Sequence, residues 1–287
     1  MAEPPQAGED PGEQREASLQ SWEAAAPGWA RHQRLVREWT APVAQWLVQA
    51  LELRGGERVL ELAAGLGETG MLAAEIVAPV GTVTISDQAE AMLDGARERA
   101  AELGLANVEF RVLNAEWIDA PVAGYDAVLC RWGVMLMTDP GAALGEMRRV
   151  LRPGGRLALA VWDELEANPW AALAAQELRE RGLDRPGGGP GPFALADAAR
   201  LRALLEEAGF EVLAVETVEL TRRHPSFEDF WETQLDMSPT YHDVVLSLPQ
   251  AEIEQVRASL ERRLAPFTAP GGAIELPGRS LVALAEA

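Results

Sequence analysis

A chain of 287 residues with 48% hydrophobic and 24% charged residues has ordinary globular composition, long enough for one or two domains and a core that needs no disulfide or metal staple. Its 25 basic residues, all Arg, face 45 acids for a formal charge of −20, which argues against a nucleic-acid binder and against anionic membrane surfaces as partners. With no Lys and a single Cys, Cys130, Schiff-base and P-loop lysine chemistry, an intramolecular disulfide and a cysteine zinc cluster are excluded.

Residues 1–16 are rich in Pro, Gly, Glu and Gln, too polar to offset ordering entropy, and a disordered tail is expected there. This start is acidic, unlike a secretory signal, and no run approaches the roughly 20 apolar residues of a membrane helix; a reducing cytoplasm is the expected location. Residues 17–53 carry helical periodicity with Trp22, Trp29, Trp39 and Trp46, and breaks are expected at Pro27-Gly28 and near Pro42. Strands follow at 58–62, 81–87, 107–113, 125–130 and 156–162, alternating with helices at 68–77, 89–103 and 140–151, with a tight turn at Pro153-Gly154-Gly155. Five strands alternating with helices predict a parallel α/β sheet covered on both faces.

Beyond it, residues 163–194 read as an insertion with a helix near 169–181 and the loop Arg185–Pro192. Residues 195–209 read as helix and 210–220 as a strand. Residues 221–272 carry amphipathic helices near 226–235 and 250–264, and 273–287 form a last strand or hairpin.

The chemistry concentrates in the run from Val59 to Gly70, VLELAAGLGETG. Gly65-x-Gly67-x-x-Gly70 after a strand, with Asp87 twenty residues past Gly67, satisfies the dinucleotide fingerprint. Glu61 at the strand end and Glu68 at the helix start would repel a pyrophosphate, which needs positive potential there. A cofactor with an adenosine, a sulfonium and an ammonium suits those acids, and Asp87 can accept from both ribose hydroxyls.

On these residues the chain resembles class I S-adenosylmethionine-dependent methyltransferases, of the branch that holds the ubiquinone/menaquinone C-methyltransferases, across about residues 22–220. The resemblance implies that Glu61, Ala63, Gly65 and Gly67 form the first cofactor motif, with Ala63 where the family has glycine. It implies that Asp87, Gln88 and Met92 flank the adenosine, that Asn114-Ala115-Glu116 meet the adenine edge, and that Cys130-Arg131 meet the methionine end. Leu151-Arg152-Pro153-Gly154-Gly155 resembles the family's turn into the fifth strand. The implied fold is a doubly wound, mostly parallel seven-stranded Rossmann-like sheet of order 3-2-1-4-5-7-6, with its core at 54–220 and 273–287. Lid helices at 17–53 and a helical substrate lid at 221–272 complete it.

The implied activity is methyl transfer from S-adenosylmethionine to a small-molecule acceptor by in-line displacement, leaving S-adenosylhomocysteine, in a monomer or homodimer. An NAD(P)-dependent oxidoreductase and a non-catalytic S-adenosylmethionine-binding protein stay open as alternatives. Trp22, Trp29, Trp132, Tyr241 and His242 are the candidate acceptor contacts. No catalytic base is assigned and no metal is expected.

Overall fold

The computed structural model describes residues 10–183 and 191–287. The chain begins with helix α1 (Pro11–Arg31), then α2 (Gln33–Ala50). The tail expected over 1–16 is therefore corrected: its first nine residues lie outside the described ones, and helix starts at Pro11. Asp10 caps that start, its carboxylate accepting from Gly12 N at 2.9 Å, and proline at the first helical position loses no needed donor. Arg15 then reaches across to Glu116, Nε to Oε2 at 2.8 Å.

The breaks expected at Pro27 and Pro42 are also corrected, since both prolines sit inside helices and the interruption falls at His32. An interior proline costs about 3 kcal/mol of helix stability, and tertiary docking offsets it. Gly28 lies so close to α8 (Phe227–Met237) that a Cβ there would stand 2.2 Å from the Asp236 carbonyl oxygen. Trp29 donates to the Met237 carbonyl at 3.3 Å, and Arg31 and His32 both bond Asp236.

The sheet is built from β1 (Arg58–Glu61), β2 (Thr82–Asp87), β3 (Val108–Val112), β4 (Tyr125–Arg131), β5 (Leu151–Trp162), β6 (Glu211–His224) and β7 (Ile274–Glu286). Their order is β3-β2-β1-β4-β5-β7-β6, the first five parallel and β7 antiparallel to both neighbours. The central strands read as unbroken apolar runs because helices cover both faces: Val128, Leu129 and Cys130 in β4 and Leu157 to Val161 in β5 are fully buried. Helices α3 (Glu68–Val77), α4 (Glu90–Leu103), α5 (Pro140–Val150) and α7 (Ala198–Glu207) complete the layers.

Two boundaries move. The turn expected at 153–155 lies within β5, where pairing jumps from Tyr125↔Leu151 to Ala127↔Arg156 and the intervening residues bulge. The strand expected to stop at Leu220 continues to His224, because β6 and β7 stay paired down to His224↔Ile274 while β5 leaves β7 at Trp162↔Ser280. The hairpin thus projects past the sheet as a two-stranded arm. On it α6 (Pro169–Glu180), α8, α9 (Pro239–Leu246) and α10 (Gln250–Leu264) pack around Phe230, Val256, Leu260 and Leu276. Helix α9 had no counterpart in the expected pattern. Most of the loop expected at Arg185–Pro192 lies outside the described residues.

Candidate functional site

The crevice lies over the carboxyl ends of β1, β2 and β4, where parallel open sheets bind ligands. Between β1 and α3 the chain alternates into the left-handed region at Ala63 (φ 50°), Gly65 (φ 55°) and Gly67 (φ 73°). The turn is pinned by Ala64 N to the Ser86 carbonyl and Gly67 N to the Ala64 carbonyl, each at 2.9 Å. A Cβ on Gly65 would meet nothing within 4 Å, whereas one on Gly67 would press on Ile85, Ala96 and Met71. Gly65 therefore opens backbone to the cavity, and Gly67 serves packing.

Asp87 is 8% exposed. Its Oδ2 accepts from Gly65 N at 2.8 Å and its Oδ1 from Ala89 N at 3.0 Å, so it ties the glycine turn to the start of α4. Burial pushes its carboxyl above the usual range, against the opposing pull of those backbone bonds. Gln88 and Met92 line the same end of the cavity, with Leu113 and Ala115 beyond. Trp22 and Trp29 of α1, edge to face at 6.0 Å, roof it.

At the other end stand Glu68, Arg131 and Trp132. Arg131 is half-buried, its Nε donating to Thr69 Oγ1 at 2.9 Å and its guanidinium 4.8 Å from the Trp132 ring centroid; desolvation lowers its pKa, opposed by Glu61 and Glu68. Glu68 has an Oε1 buried without a hydrogen-bond partner, and burial raises its pKa. Trp132 holds a left-handed backbone (φ 58°), stacks on Trp162 at 4.3 Å and Trp39 at 5.2 Å, and donates its indole N–H to Ser280 at 2.8 Å.

Several expected contacts stand elsewhere. Glu61 is 1% exposed and turned beneath the glycine turn, its Oε2 accepting from Gly70 N at 2.9 Å in the first turn of α3. Asn114 folds onto its own chain, accepting from Glu116 N at 2.8 Å, and Glu116 is taken by Arg15 and by Thr138 N. Cys130 is fully buried, its thiol pushed up to about 12 by burial. These, like Gly67, shape the wall from behind.

Tyr241 and His242 are corrected outright. Tyr241 packs edge-on to Trp231 inside the lid core, and His242 is exposed with Nδ1 at 3.2 Å from the Leu235 carbonyl. The amphipathic face of α9 buries the tyrosine against its neighbours and turns the histidine outward. Conversely Val36, Leu136 and Met137 line the cavity unforeseen. Their apolar character carries no signal that separates a cavity wall from a core.

Glu61 supplies a measurable pH dependence. Desolvation raises its pKa from 4.5 to about 8, against Arg131 and the Gly70 hydrogen bond. Between those values the folded chain keeps a proton that the unfolded chain has released, so stability falls with rising pH by up to about 1.4 kcal/mol per unit and levels above about 8. Unfolding midpoints from pH 5 to 9 should show this fall in the native chain and lose most of it in Glu61→Gln. Equal slopes in the two would mean that Glu61 is ionised throughout.

A family model described as a methyltransferase domain matches residues 53–209, just over half of the chain. The ubiquinone/menaquinone biosynthesis C-methyltransferase UbiE of Saccharophagus degradans is 33% identical over 114 residues, 39% of this chain and 46% of that protein. Its counterpart in Pseudomonas fluorescens is 39% identical over 116 residues, 39% of this chain and 45% of that protein. The matched stretch spans less than half the length of these curated relatives. Among solved structures, the YcgJ protein of Bacillus subtilis superposes with a TM-score of 0.55 at 18% identity, covering 85% of this chain and 97% of that one. The [4+2]-cyclase SpnF does so with 0.51 at 20% identity, covering 85% and 79%. At such identities the structures share the fold alone.

Proposed function

The chain belongs to the methyltransferase-domain family, and from that membership we propose that it transfers a methyl group from S-adenosylmethionine to a small-molecule acceptor. The observation that carries this reading is the charge of the cavity. Its ionisable walls are Asp87 at one end and Glu68 with Arg131 at the other, so the glycine turn is flanked by acids rather than by the positive field a pyrophosphate requires.

The residues fit the cofactor. Gly65 leaves open space beside its backbone, and Glu68 presents a buried oxygen that makes no hydrogen bond and lies 4.0 Å from the Arg37 guanidinium. Asp87 would hold the ribose hydroxyls, with Met92, Leu113 and Ala115 against the adenine under Trp22 and Trp29. Arg131 would take the methionyl carboxylate and Glu68 the ammonium. β2 and β4 flank β1, which sets Asp87 and Arg131 about 10 Å apart across the strand ends at the usual spacing, a span that suits a ribose and an amino-acid headgroup of one ligand.

Bound there, S-adenosylmethionine supplies an electrophilic methyl on a sulfonium. The chain's contribution is to position it and exclude water: Val36, Leu136, Met137 and the indoles of Trp29 and Trp132 make an apolar wall in which an acceptor is desolvated and aligned. Among the described residues that line the cavity no His, Tyr, Cys or Lys stands as a base, which favours an acceptor that needs no strong base. The same reading takes the protein as a cytoplasmic monomer or homodimer; no helix among the described residues is long and apolar enough to cross a membrane.

A non-catalytic S-adenosylmethionine-binding protein is the second reading. Its support is the stack of Trp39, Trp132 and Trp162, which fills the ends of β4 and β5 where an acceptor could lie.

Thermal unfolding with S-adenosylhomocysteine, and separately with NAD and NADP, tests the cofactor. At about 100 times its dissociation constant a ligand adds roughly 2.7 kcal/mol to the folded state, a rise of a few degrees or more for a chain of this size. The expected result is a rise with S-adenosylhomocysteine alone. A rise with NAD alone would overturn the reading in favour of an oxidoreductase.

A further inference from the structure

The sheet ends at β3 on one side and at β6 on the other, each with a neighbour on one side only. An unpaired edge is a ready template for another strand. β6 carries features that turn pairing away: a bulge between Val212 and Ala214, the acids Glu211, Glu216 and Glu219, and helix α2 packed against it, with Trp46 Nε1 donating to Glu216 at 3.2 Å. β3 differs, since it pairs with β2 without a break from Val108 to Val112 and its two charges, Glu109 and Arg111, are of opposite sign.

The Val83 amide donates to the Asn107 carbonyl and the Leu113 amide to the Asp87 carbonyl, each at 3.0 Å, so the backbone groups of residues 107, 109, 111 and 113 face β2. By the two-residue period of a strand, the N–H and C=O groups of Val108, Phe110 and Val112 face outward. Glu109 is exposed, and Val112 is 48% exposed. Arg111 is half-buried and its Nη2 donates to the Asp119 carbonyl at 2.7 Å, which uses one of its five N–H donors.

Residues opposite each other in an antiparallel ladder either both bond or both do not, so a second copy meeting this edge must set outward residues against outward ones. Centred on Phe110, that pairing sets Val108 against Val112 and Glu109 against Arg111, in both directions. The Glu109 and Arg111 positions are then the non-hydrogen-bonded ones, whose Cα atoms approach to about 4.5 Å, and there opposite charges stabilise while like charges destabilise. A slide of two residues either way sets Glu109 against Glu109 or Arg111 against Arg111. On the other face Val108, Phe110 and Val112 make β-branched and aromatic cross-strand pairs, which also stabilise sheets. We propose that this edge is a homodimer interface, β3 of one copy pairing antiparallel with β3 of a second on a two-fold axis through Phe110, so that the two sheets become one. The proposal does not rest on the methyl-transfer reading.

The test is sedimentation equilibrium of the full chain at low salt, with circular dichroism to read the fold. A short edge makes a small interface, so the native chain should pass from monomer to dimer over roughly 1–100 µM. Glu109→Arg and Arg111→Glu each set like charges opposite one another twice in the dimer, and each should raise the dissociation constant at least tenfold. An equimolar mixture of the two variants should dimerise like the native chain, because a heterodimer of them restores opposite charges at both positions. Val112→Pro gives a second handle if a charge variant does not fold: it removes an N–H that faces away from β2, which an edge strand tolerates, and it should leave a folded chain that dimerises at least tenfold more weakly. A native chain that stays monomeric up to about 1 mM overturns the proposal. So does a dimer that survives the charge variants or Val112→Pro, and so do folded charge variants whose mixture stays monomeric.

Discussion

Asp87→Asn should weaken S-adenosylhomocysteine binding by about 100-fold while the chain stays folded. An ionised carboxylate offers about four acceptor positions; Gly65 N and Ala89 N occupy two of them, which leaves two for the two ribose hydroxyls. Hydrogen bonds to a charged group contribute about 1.5–3 kcal/mol each. Asparagine keeps one oxygen and turns an amide N–H₂ toward a backbone donor or toward the ribose, so at least one bond is lost and one donor faces another. A loss of roughly 2.7 kcal/mol corresponds to the 100-fold stated. Titration calorimetry reads the affinity, and circular dichroism reads the fold. Unchanged affinity would sink the ribose assignment.

At the opposite end of the cavity, Arg131→Met should separate two ligands that share an adenosine. S-adenosylhomocysteine carries the amino-acid headgroup and 5′-methylthioadenosine lacks it. The native chain should prefer the former, and the variant should lose about 100-fold for it while its affinity for methylthioadenosine stays within about twofold. The physical basis is partial desolvation: Arg131 is half-buried, held by Thr69 and the Trp132 ring, and a charge pair formed there is screened less than one in water. Methionine keeps much of the apolar contact with Trp132, so the change removes charge more than volume. Equal losses for both ligands would instead mean that the substitution disturbs the glycine turn through Glu61 and Glu68, and the headgroup assignment would fall.

Much of the glycine-turn site is legible in the sequence. The strand-turn-helix from Val59 to Val77, the acid at Asp87 and the cavity residues Gln88, Met92, Ala115 and Arg131 all follow from local pattern and resemblance, because the backbone conformations involved are local. Ala63 shows the limit. It takes a left-handed φ where glycine is expected, and Gly133 makes it possible: a Cβ there would stand 2.5 Å from that of Ala63. No local rule pairs residues seventy positions apart.

The same limit explains the residues that moved. Glu61 reads as a ligand by position, yet the free amide of Gly70 claims it, since helix starts leave unsatisfied donors. Pro27 and Pro42 read as helix breaks by propensity, yet contacts with α8 and the sheet outweigh a local cost of a few kcal/mol. Tyr241 and His242 read as one candidate pair, and a helix places adjacent residues about 100° apart, one inward and one outward.

The sequence by itself determined the alternation of strands and helices, the glycine turn, the acid at the end of β2 and the exclusion of lysine and multiple-thiol chemistry. All of these depend on residue type and short spacing. Tertiary structure alone decided that β6 and β7 run past the sheet as an arm, that Trp39, Trp132 and Trp162 stack beside the cavity, and that Arg222 is buried without a counter-charge. Each of these depends on which distant segments meet, and burial and pairing are properties of that meeting rather than of any stretch of chain.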